Sequence, residues 1–244
     1  MNLYKYASPA VFYPLAGKLI PWFAVPAAIL FAVGLYVGFF LTPALAGEQK
    51  QIYHIIFIHV AAAWMGMFLY VLMAIYAGIG WAFNARLASM MASSIAVTGA
   101  LFTLISLVTG SLWGKPTWGT WWAWQDARLM STLILMFLYI GFISLQSAID
   151  NQRRADRAGA VVALVGVINV PIIYYSVQWW STLHQGATIK FTEKPKMTGA
   201  QLSAMAIITA ACWLYSIAVV LMRLRCEIAE REQTAAMIGE GAAQ

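Results

Sequence analysis

Six long apolar runs divide this chain, and they constrain its fold more than any other feature of the sequence. They cover approximately residues 19–42, 53–83, 89–112, 129–149, 159–180 and 203–222. A membrane-spanning helix needs about 20 mostly apolar residues, and none of the runs alternates like the strands of an outer-membrane barrel. Only 10% of the residues are charged, against about 25% in a soluble domain. The pattern predicts an all-α integral membrane protein with six transmembrane helices.

The arginines predict how this bundle is oriented in the membrane. Seven of the eight fall between helices 2 and 3, between helices 4 and 5, or after helix 6: Arg86, Arg153, Arg154, Arg157, Arg223, Arg225 and Arg231. By the positive-inside rule these segments and both termini are cytoplasmic. The lysines are mixed, since Lys190, Lys194 and Lys196 fall on the opposite side. We predict a multi-pass protein of the bacterial inner membrane, with one membrane domain over 1–226 and a cytoplasmic tail over 227–244.

The overall charge and the cysteines exclude other function classes. We attribute the net charge of +6 to membrane topology rather than to nucleic-acid binding. The sequence has no glycine-rich phosphate loop, so any ATP hydrolysis belongs to another chain. Cys212 and Cys226 form no C-x-x-C pair, which argues against thiol–disulfide chemistry.

A tryptophan-rich segment, residues 113–128, follows helix 3 on the predicted periplasmic side. Five of the 11 tryptophans lie there: Trp113, Trp118, Trp121, Trp122 and Trp124. An interfacial anchor needs only one or two, so five indicate a surface built for a ligand. Gly114, Pro116 and Gly119 are expected to shape its backbone.

The chemistry of this segment indicates a flat ligand with acidic groups. Indole rings pack on large π-systems, and the indole N–H donates to carboxylates and carbonyls. Lys115 and Arg128 flank the cluster and can pair with anionic groups. A porphyrin with its propionates is a member of this ligand class. Asp126 is expected to pair with Arg128 or to cap helix 4.

The three histidines are His54, His59 and His184. His54 and His59 are five residues apart on helix 2, so they face about 140° apart and cannot easily share a metal. His59 lies inside the apolar run, where an imidazole needs either a hydrogen-bond partner or a functional role. His184 follows helix 5 on the same side as the tryptophans. Because haem iron takes two axial ligands, His59 and His184 are candidates to hold a haem between them.

Three blocks of sequence resemble one known family. Residues 111–129 carry a tryptophan-rich WWD signature, and residues 55–60 and 169–186 give further matches. These blocks resemble the cytochrome c maturation protein C family (haem exporter protein C), over about residues 15–225. One departure is Gln125, which separates Trp124 from Asp126 where the family has Asp directly after the last Trp.

The resemblance implies a haem-delivery function. Such proteins hold haem b transiently at the outer face of the plasma membrane and present it to a membrane-anchored haem chaperone, cytochrome c maturation protein E, for covalent attachment. An ABC transporter of subunits A and B, with small protein D, acts in the same system. His59 and His184 match the family's axial-ligand positions. The cofactor site is then predicted to include Trp113, Lys115, Trp118, Trp121, Trp122, Trp124, Asp126 and Arg128. We expect no catalytic side chain.

Three alternative functions agree less well with the sequence. A b-type electron-transfer protein usually needs two histidine pairs, which three histidines do not supply. A membrane subunit of an ABC-type haem exporter needs a cytoplasmic coupling surface, and the cytoplasmic loops are short. A cytochrome c synthase-like protein shares the tryptophan signature but is typically larger and richer in histidine.

Overall fold

The structure, a computed structural model, describes residues 7–42, 52–180, 182–184 and 197–241, with side chains up to residue 233. Every regular element within these ranges is a helix: α1 Pro9–Tyr36, α2 Ile55–Phe83, α3 Arg86–Trp118, α4 Ala127–Ala148, α5 Gln152–Gly166, α6 Asn169–Trp179 and α7 Gly199–Gly241. A π-helical turn, Val37–Leu41, continues α1. Six helical stretches are long and apolar enough to cross a membrane, and α5 and α6 together make the fifth. The predicted all-α, six-span architecture is confirmed.

The helices are longer than the apolar runs that predicted them. Helix α3 continues through Pro116 to Trp118, so the connection to α4 is 119–126 and not the predicted loop over 113–128. Gly119 ends the helix with a φ of 77°, and its N–H donates to the carbonyl oxygen of Lys115 at 3.0 Å. A side chain is disfavoured in this left-handed conformation, so a glycine fits here. Helix α7 likewise extends beyond its apolar run, to Gly241.

Helices α2 and α3 run along each other at the centre of the bundle, and tyrosines link them to their neighbours. The hydroxyl of Tyr139 on α4 donates to the carbonyl oxygen of Gly66 on α2 at 2.8 Å. That hydroxyl occupies the place where residue 99 would carry a Cβ, which explains why Gly99 has none. Tyr70 on α2 donates to the carbonyl oxygen of Val162 on α5 at 3.2 Å. These contacts satisfy polar groups that a membrane interior would leave without water.

The two ends of the bundle differ in chemistry. At the end where α3 and α6 stop and α2 and α4 begin, called here the tryptophan end, lie the tryptophan-rich segment and the histidines. The opposite end, called the arginine end, holds the seven arginines named above. There Arg231 of α7 bonds both carboxylate oxygens of Asp156 at 3.0 and 3.1 Å, which ties α7 to α5. The lysines Lys190, Lys194 and Lys196 lie outside the described residues.

Candidate functional site

Asp126 joins three parts of the tryptophan end. It is the N-cap of α4, where its Oδ1 accepts the N–H of Leu129 at 2.9 Å. The same oxygen is 3.0 Å from Nδ1 of His184, and Oδ2 accepts the N–H of Leu183 at 2.8 Å. The helix-capping position was one of the two predicted for this residue. The bond to His184, on the segment after α6, was not predicted.

The electrostatics of this carboxylate fix which nitrogen of His184 carries a proton. Burial raises the pKa of Asp126, but the bonds from His184 and from the N–H groups of Leu129 and Leu183 outweigh it and lower the pKa to about 2. An ionised carboxylate only accepts hydrogen bonds. Nδ1 of His184 must therefore be the donor, and in the neutral ring the lone pair lies on Nε2.

His59 is arranged in the same way by a different partner. Its Nδ1 lies 3.0 Å from Oγ1 of Thr109 on the neighbouring helix α3. That hydroxyl is also 2.6 Å from the carbonyl oxygen of Ile105, which can only accept, so the single hydroxyl proton is used there. Oγ1 then accepts from Nδ1–H of His59, and Nε2 is again the nitrogen with the free lone pair. No described residue forms a hydrogen bond with Nε2 of His59 or of His184.

His54 has a different environment. It lies just before α2, and its ring stacks on Phe39 with 5.5 Å between centroids and an interplanar angle of 24°. His59, in contrast, interacts electrostatically with His184 and with Arg128. His59 and His184 thus lie within electrostatic range of each other, while the described ring contacts of His54 are with Phe39, Tyr53 and Phe57.

The tryptophans of the segment form a cluster with steep angles between rings. Trp118 meets the His184 ring edge-on at 4.9 Å and 66°, and Trp113 packs on Trp118 at 6.1 Å and 52°. Trp122 and Trp124 meet at 5.9 Å and 60°. The rings therefore do not share one plane in this structure, and they offer edges and N–H groups as well as faces.

Two features of these tryptophans fit a ligand with both apolar and acceptor groups. Trp121 and Trp124 are 53% and 71% exposed, which leaves apolar surface for a partner to cover. The indole Nε1 atoms of Trp113 and Trp122 are buried and have no hydrogen-bond partner in the described structure. A buried donor without an acceptor is costly, so a ligand that supplies an acceptor here would be favoured.

The two cations predicted to meet acidic groups lie at this end. The ammonium of Lys115 is 3.3 Å from the carbonyl oxygen of Gly119 and 6.0 Å from the centroid of Trp121. Arg128, in the first turn of α4, is partly buried and interacts electrostatically with Asp126 and Tyr174. Among the described residues Arg128 forms no ion pair with Asp126, whose oxygens are taken by His184 and two backbone N–H groups.

The cluster fits haem better than a bare metal ion. The described residues contain no group of three or more His, Cys, Asp or Glu side chains that would hold a metal ion. Two histidines with open Nε2 atoms are the number that a haem iron takes as axial ligands. Each also donates Nδ1–H to an oxygen, as metal-bound histidines usually do.

Sequence reasoning missed the partners that orient the two histidines. Thr109 and Gly110 are adjacent to the tryptophan segment but lie inside the third apolar run, where they look like ordinary helix-packing residues. The one signal for them in the sequence was the polar Thr109, one turn before Trp113. Trp179 and Trp180, which precede His184, are 57% and 50% exposed at the same end.

Comparisons with known proteins show which family this chain resembles along most of its length. The sequence profile of the heme exporter protein C family matches residues 2–239. The heme exporter protein C of Escherichia coli K12 is 48% identical over 187 residues, which cover 77% of this chain and 76% of that protein. The Bradyrhizobium diazoefficiens protein of the same name is 41% identical over 234 residues, 95% of this chain and 87% of that protein. The Paracoccus denitrificans protein is 35% identical over 244 residues, with both chains fully covered.

Proposed function

The chain belongs to the heme exporter protein C family, and we propose that it binds haem at the tryptophan end and presents it to a membrane-anchored haem chaperone, cytochrome c maturation protein E. Family membership makes it a component of cytochrome c maturation. The observation that carries the proposal is that His59 and His184 have the same hydrogen-bonding pattern. Both have Nδ1 bonded to an oxygen and Nε2 without a partner among the described residues, at the end that also holds the tryptophans.

The residues at this end then have separate tasks. His59 and His184 supply the two axial nitrogens for the iron of the haem, which is the cargo of the protein. Trp118, Trp121 and Trp124 cover apolar ring surface, and the indole N–H groups of Trp113 and Trp122 offer donors to its polar edge. Lys115 and Arg128 provide positive charge for the propionates. The chain holds and orients a reactive group without a catalytic side chain of its own.

Orientation and partners belong to the same proposal. The tryptophan end faces the periplasm of a bacterial inner membrane, and the arginine end and both termini face the cytoplasm. The chaperone approaches the exposed indoles from the periplasm. Subunits A and B of the ABC transporter and the small membrane protein D are the partners implied by membership of the cytochrome c maturation system.

The placement of the histidines favours delivery over electron transfer across the membrane. All three histidines of the chain lie at the tryptophan end. A second haem near the arginine end would have no histidine to bind it. One haem at one end suits transfer to a partner at that surface, whereas electron transfer across a bilayer of about 30 Å usually needs two.

The test is the absorption spectrum of the full-length protein, purified after co-expression with the chaperone. We expect a Soret band typical of bis-histidine haem. His59→Ala and His184→Ala should each shift this band or remove it, because each substitution deletes one iron ligand.

His54→Ala is the matched control, since it removes a histidine from the same end without removing a proposed ligand. It should leave the haem spectrum close to that of the unmodified protein. A spectrum that is unchanged in both the His59 and His184 variants would refute the ligand assignment. Complete loss of haem in the His54 variant would show that the other histidine of helix α2 binds the iron.

A further inference from the structure

We propose that Thr109 and Gly110 of α3 are positioning residues that hold His59 with its Nε2 atom deprotonated and directed for iron binding. The inference rests on the proposed function, because it assigns a role toward the same haem. It concerns residues that make no contact with the iron themselves. The observations that carry it are one hydrogen-bond network and one steric contact.

In the hydrogen bond between His59 and Thr109, the network makes the imidazole the donor and the hydroxyl the acceptor. Oγ1 of Thr109 has one proton and lies 2.6 Å from the carbonyl oxygen of Ile105 and 3.2 Å from that of Ser106. Both carbonyls accept only, so they compete for that proton and leave a lone pair of Oγ1 directed at the ring. Nδ1 of His59 faces this lone pair at 3.0 Å, so the ring keeps its proton on Nδ1.

The opposite tautomer is therefore disfavoured. With a proton on Nε2, the lone pair of Nδ1 would face the lone pairs of Oγ1 unless the hydroxyl gave up both carbonyls of its own helix. A nitrogen that carries a proton cannot bind iron. Thr109 thus selects, before any ligand arrives, the form of His59 that can act as a ligand.

Gly110 sets the position of the ring. A Cβ added at residue 110 would lie 3.0 Å from Cε1 of His59, the ring carbon between the two nitrogens. This is closer than ordinary van der Waals contact, so the ring would have to move by a few tenths of an ångström. Gly110 is buried, which leaves little space for such a movement. The absence of a side chain therefore lets α3 approach the imidazole closely enough for Thr109 to bond it.

The experiment is a haem titration of the purified full-length protein in detergent, followed by absorption spectroscopy. Thr109→Val preserves the shape of the side chain but removes the acceptor, and we expect haem affinity to fall about 10–100-fold, as for other residues that orient a metal ligand. Thr109→Ser restores the hydroxyl and should restore affinity and the low-spin spectrum. Gly110→Ala should shift the Soret band, because it displaces the ring and lengthens its bond to Thr109; an unchanged band would overturn the role of Gly110.

Thr98→Val is the matched control. Thr98 is a buried threonine on the same helix whose Oγ1 has no hydrogen-bond partner in the described structure. The Thr98→Val protein should bind haem like the unmodified protein. This control separates the loss of the hydrogen bond to His59 from a general effect of replacing threonine by valine in α3.

The outcomes distinguish this inference from the proposed function. If Thr109→Val binds haem as tightly as the unmodified protein while His59→Ala does not, Thr109 has no positioning role and the inference is overturned. If Thr109→Ser fails to rescue the spectrum, the hydroxyl is not the group that acts, and the inference is equally overturned. If the unmodified protein binds no haem, or His59→Ala binds it normally, the proposed function itself is refuted.

Discussion

Replacing Asp126 by asparagine should loosen the segment that carries His184. The carboxylate accepts three hydrogen bonds: Oδ1 takes those of Leu129 N–H and His184 Nδ1, and Oδ2 takes that of Leu183 N–H. An asparagine has one oxygen and one NH₂ group in the same place. Whichever way the amide turns, its NH₂ faces at least one N–H donor, so at least one of the three bonds is lost.

The lowered pKa of Asp126 gives the size of the free energy that its carboxylate contributes to this segment. A fall from the ordinary value of 3.8 to about 2 corresponds to about 2 kcal/mol of preference for the ionised form in the folded protein. Because the folded pKa is lowered, this contribution is present at every pH above 3.8 and is lost as the pH falls from 3.8 to about 2. At neutral pH the variant therefore lacks the full amount.

Hydrogen exchange measured by mass spectrometry reports this loss locally. At pH 7 the amide of Leu183 should exchange about 30-fold faster in Asp126→Asn, since each 1.36 kcal/mol is a factor of ten. Asp150→Asn, at an exposed aspartate before α5, is the matched control and should leave the exchange unchanged. Equal protection of Leu183 in the Asp126 variant and the unmodified protein would show that the carboxylate does not hold this segment.

Two further predictions concern the end of α3 and the orientation of the protein. Gly119→Ala places a side chain at a φ of 77° and should destabilise the protein by about 1–2 kcal/mol in thermal unfolding. Gly141→Ala, where an added Cβ meets no atom within 4 Å, should not, and equal losses in both would contradict the backbone argument. Cys226 is exposed at the arginine end whereas Cys212 is buried, so a membrane-impermeant maleimide should label Cys226 only after spheroplasts are permeabilised. Labelling of Cys226 in intact spheroplasts would contradict the proposed orientation and place the arginine end in the periplasm.

The number of membrane spans was predictable because apolar length is a strong signal. The ends of the helices were not, since hydropathy falls before the backbone stops being helical. Residues 113–118 show this: Trp113, Lys115 and Pro116 suggest a loop by composition, yet α3 continues through them to Trp118. A proline in the last turn of a helix removes one N–H, but neighbouring contacts can offset that loss. Only Gly119, with its positive φ, ends the helix.

The candidate site was predictable as a set of residues but not as a network. Tryptophans and histidines are rare enough that their clustering in sequence predicted a site, and the structure brings these residues to one end of the bundle. The acceptors that orient the rings are common residues whose role depends on distance in three dimensions. Thr109 is 50 residues from His59, and Asp126 is 58 from His184. No local pattern links such pairs, so only the packing of α2 on α3, and of the segment after α6 on α4, reveals them.

The two histidines donate to acceptors of unequal strength, because His184 bonds a carboxylate and His59 bonds a hydroxyl. A carboxylate accepts a stronger hydrogen bond than a hydroxyl, and a stronger bond at Nδ1 makes the opposite nitrogen a better electron donor. His184, bonded to Asp126, should therefore bind iron more strongly than His59, bonded to Thr109. In one haem titration, Asp126→Asn should lower the affinity more than Thr109→Val does. Such an inequality would suit the proposed delivery of haem, because a weaker bond at His59 would let one side of the iron be released while the other is still held.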